Sequence, residues 1–517
     1  MKEKARIVPL LLALCITLGG CAGSDSQAES GQESTADNSS AVQESSSEEE
    51  KEPEFEMLKQ KPKQVINEQP LTFETAGADK AAVEKREKEL EDKYSIPIIS
   101  VTTKDEAEIV STQEYTPCLV DVINCEDEYR LSEASAGIKV RGNSSAFYGD
   151  VAQIRKNQVP YRIKFDKKTN MLGLHGGNEN KSWVLLKADW DLIRNDIALR
   201  FGRAIMKDGT FCSDAQLVYT YVNGQYKGTY LLCEQCQVGK NRVNISEPEE
   251  NYTGTDFGFY LELDNYATSE EDNIYINVDY GEYEVEDANG ETRAFVPAEY
   301  SVKNDVYTKE QVEFIEKYLN GVFEIVYRAC EKGEYFKFDE NYDLVKADFT
   351  SAEETVENVM NIDSVVDMYL LYEIVHDYDC GEGSFFMCTD FAEGAQYDKL
   401  TFTSPWDFNW AYNDSTKRYW AGGFSAKSFV NQYGDRSNPW FIVLIKQDWF
   451  RAKVSAKWTA LQKDGAIEGC IKDEKAYLEK YRDDLNRDSE WGVDNAYKLF
   501  EWIEKRLKWM DEQFMTE

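Results

Sequence analysis

Two aspartates stand at the ends of predicted regular elements, where they could do chemistry together. Asp379 follows the helical pattern IDSVVDMYLLYEIV in a glycine-containing loop, and Asp407 follows the short strand pattern KLTFTS. Phosphoryl-transfer enzymes use one aspartate to orient the acceptor and a second to bind the metal. The order helix, acid, strand pair, acid therefore indicates phosphoryl transfer. Asp377, two residues earlier in the same loop, is the alternative candidate for the role of Asp379.

The surroundings of Asp407 are aromatic, since Trp406, Phe408 and Trp410 flank it in the sequence SPWDFNWAY. A buried carboxylate is costly unless it is paired or bound to a metal. Asp407 is therefore either a satisfied turn residue or an ion ligand. If it holds an ion, we expect the three rings to wall the site and fix the end of the strand.

Composition and motifs exclude several classes of function. The 517 residues include 96 acidic and 58 basic side chains, for a net charge of −38, so nucleic acid is not an expected partner. Dinucleotide-binding, Walker, nucleophile-elbow and zinc-protease motifs are absent from the sequence. The only histidines are His175 and His376. The lone C-x-x-C of Cys233 and Cys236 lacks a second ligand pair, so packing is the favoured interpretation.

The first residues resemble an export signal that ends in a lipoprotein box. A basic start precedes the apolar run IVPLLLALCITLGG, and LGGC places a lipidated N-terminus at Cys21 after cleavage of residues 1–20. Residues 21–60 are rich in Ser and Glu and carry almost no large apolar side chains. Such a segment cannot bury a core. We therefore expect a disordered stalk that holds the fold on the extracytoplasmic face of a membrane.

The remaining residues divide into a charged helical linker over 61–95 and one large domain over 96–517. The first half of this domain has short β-rich runs, and Asn223-Gly224 between two of them is typical of a type I′ hairpin. The second half has helical periodicity, including a capping box at Thr308 and Gln311. The sequence therefore predicts an α+β protein with a strand-rich N-terminal half and a helix-rich C-terminal half.

Five segments, in this order, resemble those of the CotH kinase family, atypical kinases first known from spore-coat proteins. With its lipoprotein signal, the chain resembles a bacterial surface lipoprotein of this family. The resemblance covers most of residues 96–415. The segments are IKVRGNSS (Ile138 to Ser145), YRIKF (Tyr161 to Phe165), KSWVLLKADWDLIRNDIA (Lys181 to Ala198), YVNGQYKGTYLLCE (Tyr221 to Glu234) and SPWDFNWAY (Ser404 to Tyr412). The implied fold is a divergent protein-kinase-like one.

The resemblance also implies roles for single residues. Asp407 matches the acid that holds Mg²⁺ against the phosphates of ATP, and Asp379 matches the catalytic aspartate. Lys164 matches the place of a lysine that contacts phosphate, and Lys156 and Lys187 compete with it for that role.

Three further residues could complete such a site. Arg141, in an Arg-Gly-Asn turn, could cradle phosphate or could simply form the turn. Glu234 could face the nucleotide at the end of the hairpin or could be a strand-end charge. Asn409, two residues past Asp407, could assist the metal.

The resemblance implies a Mg²⁺-dependent kinase that transfers phosphate from ATP to a Ser or Thr hydroxyl of an unknown protein. ATP is scarce outside a bacterial membrane, so one alternative is an inactive surface lipoprotein of the same fold that binds a protein or glycan. A second alternative is a glycosidase with Asp379 and Asp407 as its carboxylate pair. It requires an open groove without a basic phosphate contact nearby.

Overall fold

The first half of the domain forms a closed β-barrel of seven strands in the computed structural model. The strands are β1 Ile98–Thr103, β2 Thr116–Ile123, β3 Leu131–Val140, β4 Tyr161–Thr169, β5 Asn180–Lys187, β6 Ala215–Val222 and β7 Gln225–Glu234. Their order around the barrel is β1-β2-β3-β4-β5-β7-β6. All neighbours are antiparallel except β1 and β6, which pair in parallel and close the ring. Closure leaves the sheet without an open edge.

The structure describes residues 55–60, 64–188, 190–206, 209–270, 272–286, 292–295, 297–377, 379–412, 438–488 and 492–515. The predicted signal, Cys21 and most of the predicted stalk lie outside the described residues. None of the described helices combines the length and apolar composition that a membrane-crossing helix requires.

Alternation of side chains along the strands builds the inside of the barrel. On β4, Tyr161, Ile163 and Phe165 are buried, whereas Arg162 and Lys164 point to the other face and are partly buried. All seven strands contribute to one buried cluster, with Ile99, Val120, Ile138, Ile163, Leu185, Val218 and Leu232 among its members. The predicted type I′ hairpin is confirmed between β6 and β7, where Asn223 and Gly224 have φ of 49° and 75°.

A second sheet of five antiparallel strands follows the barrel in the chain. Its order is β16-β15-β8-β12-β9. These strands are β8 Gly258–Asp264, β9 Tyr275–Val278, β12 Ala298–Val302, β15 Gly383–Asp390 and β16 Thr401–Thr403. Two small ribbons complete the described strands: β10 Glu284–Glu286 with β11 Thr292–Ala294, and β13 Phe336–Phe338 with β14 Leu344–Lys346.

Helices dominate the second half. In chain order the described helices are α1 Lys80–Lys93, α2 Val151–Ile154, α3 Leu174–Gly177, α4 Arg194–Met206, α5 Lys309–Tyr327, α6 Ala352–Val359, α7 Ile362–Val375, α8 Pro439–Ile445, α9 Asp448–Lys463, α10 Ala466–Lys480, α11 Arg482–Asp488 and α12 Val493–Phe514. The capping box of Thr308 and Gln311 is confirmed at the start of α5. The α+β class and the division into halves are confirmed. The barrel was not anticipated, and kinship with the protein-kinase fold stays a prediction.

Residues before the predicted domain boundary pack onto the fold. Backbone hydrogen bonds join Leu58 to Tyr307 and Lys309 to Glu56, at 2.8 and 2.9 Å. Helix α1 buries Val83 and Leu90. Residues 55–517 form one compact unit.

A buried cluster of charge joins α4 to α10. Arg200 on α4 lies between two fully buried carboxyls, with its Nε 3.0 Å from Asp196 and 2.5 Å from Glu474. Burial raises the pKa of both carboxyls, the charge of Asp196 adds to the rise at Glu474, and Arg200 opposes the rise at both. The pKa of Glu474 rises from 4.5 to about 8, so one proton is retained at neutral pH.

This cluster predicts a pH-dependent stability. The pKa of Glu474 is higher in the folded than in the unfolded state. Its contribution to the stability of the fold is therefore full below pH 4.5 and is lost as pH rises through about 8. As pH rises between these values, the loss of this group's contribution should lower the free energy of unfolding by about 1 kcal/mol per pH unit. In urea unfolding across this range, Glu474→Gln should show a shallower pH dependence than wild type. Exposed Glu468→Gln on the same helix is the control, and equal slopes for wild type and Glu474→Gln would contradict the assignment.

Candidate active site

A polar cavity of about 580 Å³ lies where the loop after β3 meets the ends of the second sheet. Its wall brings together four of the residues predicted from sequence: Arg141, Asp379, Asp407 and Asn409. They come from three regions that are far apart in the chain. Other charged members of the wall are Glu262, Asp264, Glu270, Lys303 and Glu382.

Asp407 sits in a tight turn after β16 and has a left-handed backbone, with φ 60° and ψ 68°. The first turn of α4 holds this turn in place. The backbone N–H of Phe408 donates to Oδ1 of Asn195, and Nδ2 of Asn195 donates to Oδ1 of Asn409, both at 2.8 Å. Arg194 donates to the backbone carbonyl of Asn409. Helix α4 therefore fixes the position of the predicted metal ligands.

The electrostatics at Asp407 combine burial with one nearby cation. Burial raises the pKa of its carboxyl, and the positive charge of Arg141 opposes that rise. The Arg141 guanidinium lies 5.6 Å from the centre of the Trp406 ring, a cation–π distance. An ionised Asp407 is thus incompletely compensated by the described protein groups, and a bound cation would stabilise it.

The three rings beside Asp407 have different surroundings. Trp406 and Trp410 line the cavity beside Asp407. Phe408 is fully buried instead, with its ring 5.8 Å from that of Tyr372 on α7. The expectation that all three rings wall the site is therefore wrong for Phe408, because its side chain points into the core.

The two loop aspartates after α7 differ in exposure. Asp377 is 1% exposed, and its carboxylate accepts the backbone N–H of Asp379 at 3.1 Å. Burial raises the pKa of Asp377 well above its ordinary value, and the charges of Asp379 and Asp407 add to the rise. Asp379 is only partly buried and lines the cavity. Of the two competing residues, Asp379 is therefore the one that can meet a substrate there.

Helix α7, which leads into this loop, is anchored by a fully buried ion pair. Arg506 on α12 donates to the Glu373 carboxylate and, at 2.7 and 3.0 Å, to the Glu373 carbonyl. Neither side chain is exposed. Removing one partner of such a pair typically costs about 3–5 kcal/mol, so the contact rigidly connects the candidate site to the C-terminal helix.

An ion pair between Glu262 and Lys303 was missed by sequence reasoning. Its atoms are 2.6 Å apart, and both residues line the cavity. Burial lowers the pKa of Lys303, but the charge and hydrogen bond of Glu262 outweigh burial and leave it raised. Antiparallel pairing of Val302 with Leu261 brings the two residues together from 41 positions apart. The available signal was a charged residue inside the apolar run GFYLELD.

Two predicted site residues lie elsewhere among the described residues. Lys164, in the middle of β4, is absent from the cavity wall; burial and the charges of Arg162 and Lys181 lower its pKa. Glu234 is the last residue of β7 and has no exposed side-chain surface. Its carboxylate lies 2.6 Å from Nδ1 of His175. Neither Lys164 nor Glu234 lines the cavity, so their contacts with a nucleotide stay predictions.

The donor set of the cavity suits a hard cation. Asp407 and Asn409 offer oxygen atoms, which Mg²⁺ prefers, and no histidine or cysteine lines the cavity. Within the part of the chain that the structure describes, no cluster of three or more His, Cys, Asp or Glu side chains is placed to hold a metal. The residues therefore fit a Mg²⁺ that keeps waters and relies on substrate phosphates for further ligands, the usual pattern for this ion.

Comparison with known protein families identifies a relationship. A family model described as CotH kinase protein matches residues 138–510, which include every predicted site residue from Arg141 to Asn409. No curated protein matches the sequence.

Proposed function

Because the chain belongs to the CotH kinase family, we propose that it transfers the terminal phosphoryl group of ATP to a hydroxyl of a protein acceptor, with Mg²⁺. The observation that carries this proposal is the cavity that brings the cations Arg141 and Lys303 together with the predicted pair Asp379 and Asp407 from separate parts of the chain. Phosphoryl transfer is catalysed mainly by positioning and charge stabilisation, and these four residues offer both.

Each residue has one task in the proposed reaction. Asp379 orients the acceptor hydroxyl and takes its proton as the oxygen bonds to the terminal phosphorus. The bond from that phosphorus to the β–γ bridging oxygen breaks, and ADP leaves with the electron pair. Arg141 and Lys303 balance negative charge on the phosphoryl oxygens.

Asp407 and Asn409 are the residues that would hold Mg²⁺. When bound, the ion supplies positive charge between the phosphate oxygens. Asn195 keeps the Asn409 amide in place, and the left-handed turn presents the Asp407 carboxylate to the cavity.

The cations of the cavity distinguish this proposal from a two-carboxylate glycosidase. That alternative requires a groove without a basic phosphate contact, whereas Arg141 and Lys303 line the same cavity as Asp379 and Asp407. These two cations favour phosphate chemistry.

We place the enzyme on the extracytoplasmic face of a membrane, held by lipid on Cys21. The support is the sequence LGGC after a basic and apolar leader.

The direct test is calorimetric titration of the full chain with ATP, with and without Mg²⁺, followed by transfer of labelled phosphate to protein. We expect saturable binding that requires Mg²⁺ and incorporation of label. Binding without transfer would support the inactive relative of the same fold. Absence of both would contradict the proposal.

Lysine variants decide which lysine contacts phosphate. Lys303→Met should weaken Mg²⁺-ATP binding by about tenfold or more, because a charge-assisted contact is lost in a partly buried site. Lys164→Met is the matched variant and should bind ATP within about twofold of wild type, since the side chain lies outside the cavity wall. The opposite pattern would assign the contact to Lys164 and remove Lys303 from the proposed mechanism.

A further inference from the structure

A second pocket, of about 330 Å³, is basic although the chain as a whole is acidic. Its cationic side chains are Arg203, Lys240 and Arg242, together with His175. Among the described residues that line it there is no carboxylate, and it shares no residue with the candidate active site. We call the group of Arg203, Lys240, Arg242, His175 and Thr210 the basic pocket.

Two members of the basic pocket have buried polar atoms that lack a hydrogen-bond partner. Arg242 is 4% exposed, and its Nη1 makes no hydrogen bond. Its Nε lies 3.5 Å from the Glu234 carboxylate, and its Nη2 donates to the Ser182 carbonyl at 2.7 Å. The hydroxyl of Thr210 is also buried and unpaired. Leaving such donors unsatisfied is costly, so their presence in a pocket wall points to a ligand that accepts hydrogen bonds.

The carboxylates nearby compensate only part of the positive charge. Glu234, beneath the pocket, is shared between His175 at 2.6 Å and Arg242 at 3.5 Å. Asp214 pairs with Arg203 at 3.0 Å. The hydrogen bond to Glu234 raises the pKa of His175, although burial opposes it, which favours the protonated ring. Glu234 and Asp214 thus pair with His175, Arg242 and Arg203, and none of these ion pairs includes Lys240.

Part of the remaining wall is apolar and aromatic. Phe211 stacks on His175 with ring centres 5.9 Å apart, and Met206 and Tyr397 also line the pocket. The volume lies at the lower end of the range for small-molecule sites. A bare inorganic ion would not use this apolar surface.

We propose that the basic pocket is a second anion site of this protein, which binds a small organic phosphate monoester. The phosphate accepts hydrogen bonds from Arg242 and Thr210 and is neutralised by Lys240, and the organic part lies against Phe211 and Tyr397. Arg and Lys are the usual partners of phosphate, and the unpaired Nη1 of Arg242 matches one of its oxygen atoms.

The test uses the full chain without Mg²⁺ and two probes, inorganic phosphate and O-phosphoserine, with serine as the blank. We expect saturable binding of both phosphates in calorimetry and none of serine, with O-phosphoserine binding more tightly. Lys240→Glu should weaken binding of O-phosphoserine by about tenfold or more, because an exposed cation becomes an anion. Thr210→Val keeps the side-chain shape and should also weaken it.

Matched variants locate the bound phosphate. Lys346→Glu makes the same charge change at an exposed residue of β14, and Lys303→Met alters the candidate active site; both should keep O-phosphoserine binding within about twofold. Loss of binding in Lys303→Met with retention in Lys240→Glu would place the phosphate in the active-site cavity and overturn the proposal. Equal binding by Lys240→Glu, Thr210→Val and wild type, or no binding by wild type, would overturn it as well.

Discussion

Replacing Asp407 with asparagine is expected to abolish Mg²⁺-dependent ATP binding, a loss of about 100-fold or more in affinity. The estimate corresponds to about 3 kcal/mol, since a bound metal ion contributes several kcal/mol of charge stabilisation and tenfold in affinity is about 1.4 kcal/mol. The measurement is calorimetric titration of the full chain with ATP at fixed Mg²⁺.

The fold should tolerate this change. Asparagine adopts the left-handed backbone of position 407 more readily than most residues, so the turn at φ 60° is kept. Burial raises the pKa of the Asp407 carboxyl, so the ionised side chain costs stability when no cation is bound. We therefore expect Asp407→Asn to unfold at the wild-type temperature or slightly above it, and to gain no stability from Mg²⁺-ATP.

Asp464→Asn is the control, because it makes the same substitution at an exposed residue that ends α9. It should bind Mg²⁺-ATP like wild type. If Asp407→Asn unfolds the protein and the wild type ignores Mg²⁺-ATP, Asp407 is a structural turn residue and the proposed function fails with it.

Features that are local in the chain were predictable from the sequence. The Asn223-Gly224 turn and the capping box of Thr308 and Gln311 each depend on residues within four positions of one another. Their conformational preferences act before any tertiary contact forms.

Features that depend on distant pairing were not predictable in the same way. The barrel closes through parallel pairing of β1 with β6, more than 110 residues apart, and no local pattern specifies that partner. Lys303 reaches Glu262 only because β12 pairs with β8.

Two of the predicted site residues lie in loops that follow regular elements. Asp379 and Asp407 were identified by their positions after a helix and a strand, and the structure brings both to one cavity. Lys164 and Glu234 are both strand residues, and sequence could not say which way the barrel presents their side chains. Burial and barrel closure determine the direction of each side chain. Lys164 is absent from the cavity wall, and Glu234 lies beneath the basic pocket.

Replacing Asp379 with asparagine is expected to separate chemistry from nucleotide binding. Phosphotransfer should fall by about 100-fold to 10,000-fold, the range that a positioned acid or base contributes, because the acceptor hydroxyl loses the group that takes its proton. Binding of Mg²⁺-ATP should stay within about twofold of wild type, since the predicted metal ligands and the two cations are unchanged. The measurements are single-turnover transfer of labelled phosphate and calorimetry on the same protein.

Asp377→Asn is the matched variant, two residues away. Its Oδ1 can still accept the N–H of Asp379, so the loop should be kept, and the buried side chain does not line the cavity. We expect it to retain phosphotransfer within about tenfold of wild type, because a group outside the cavity acts on the reaction only through the loop. If Asp377→Asn loses the chemistry while Asp379→Asn keeps it, the catalytic assignment moves to Asp377. If Asp379→Asn loses ATP binding as well, the residue acts on the nucleotide rather than on the acceptor. The two variants together with Asp407→Asn thus assign acceptor positioning and metal binding to separate carboxylates of one cavity.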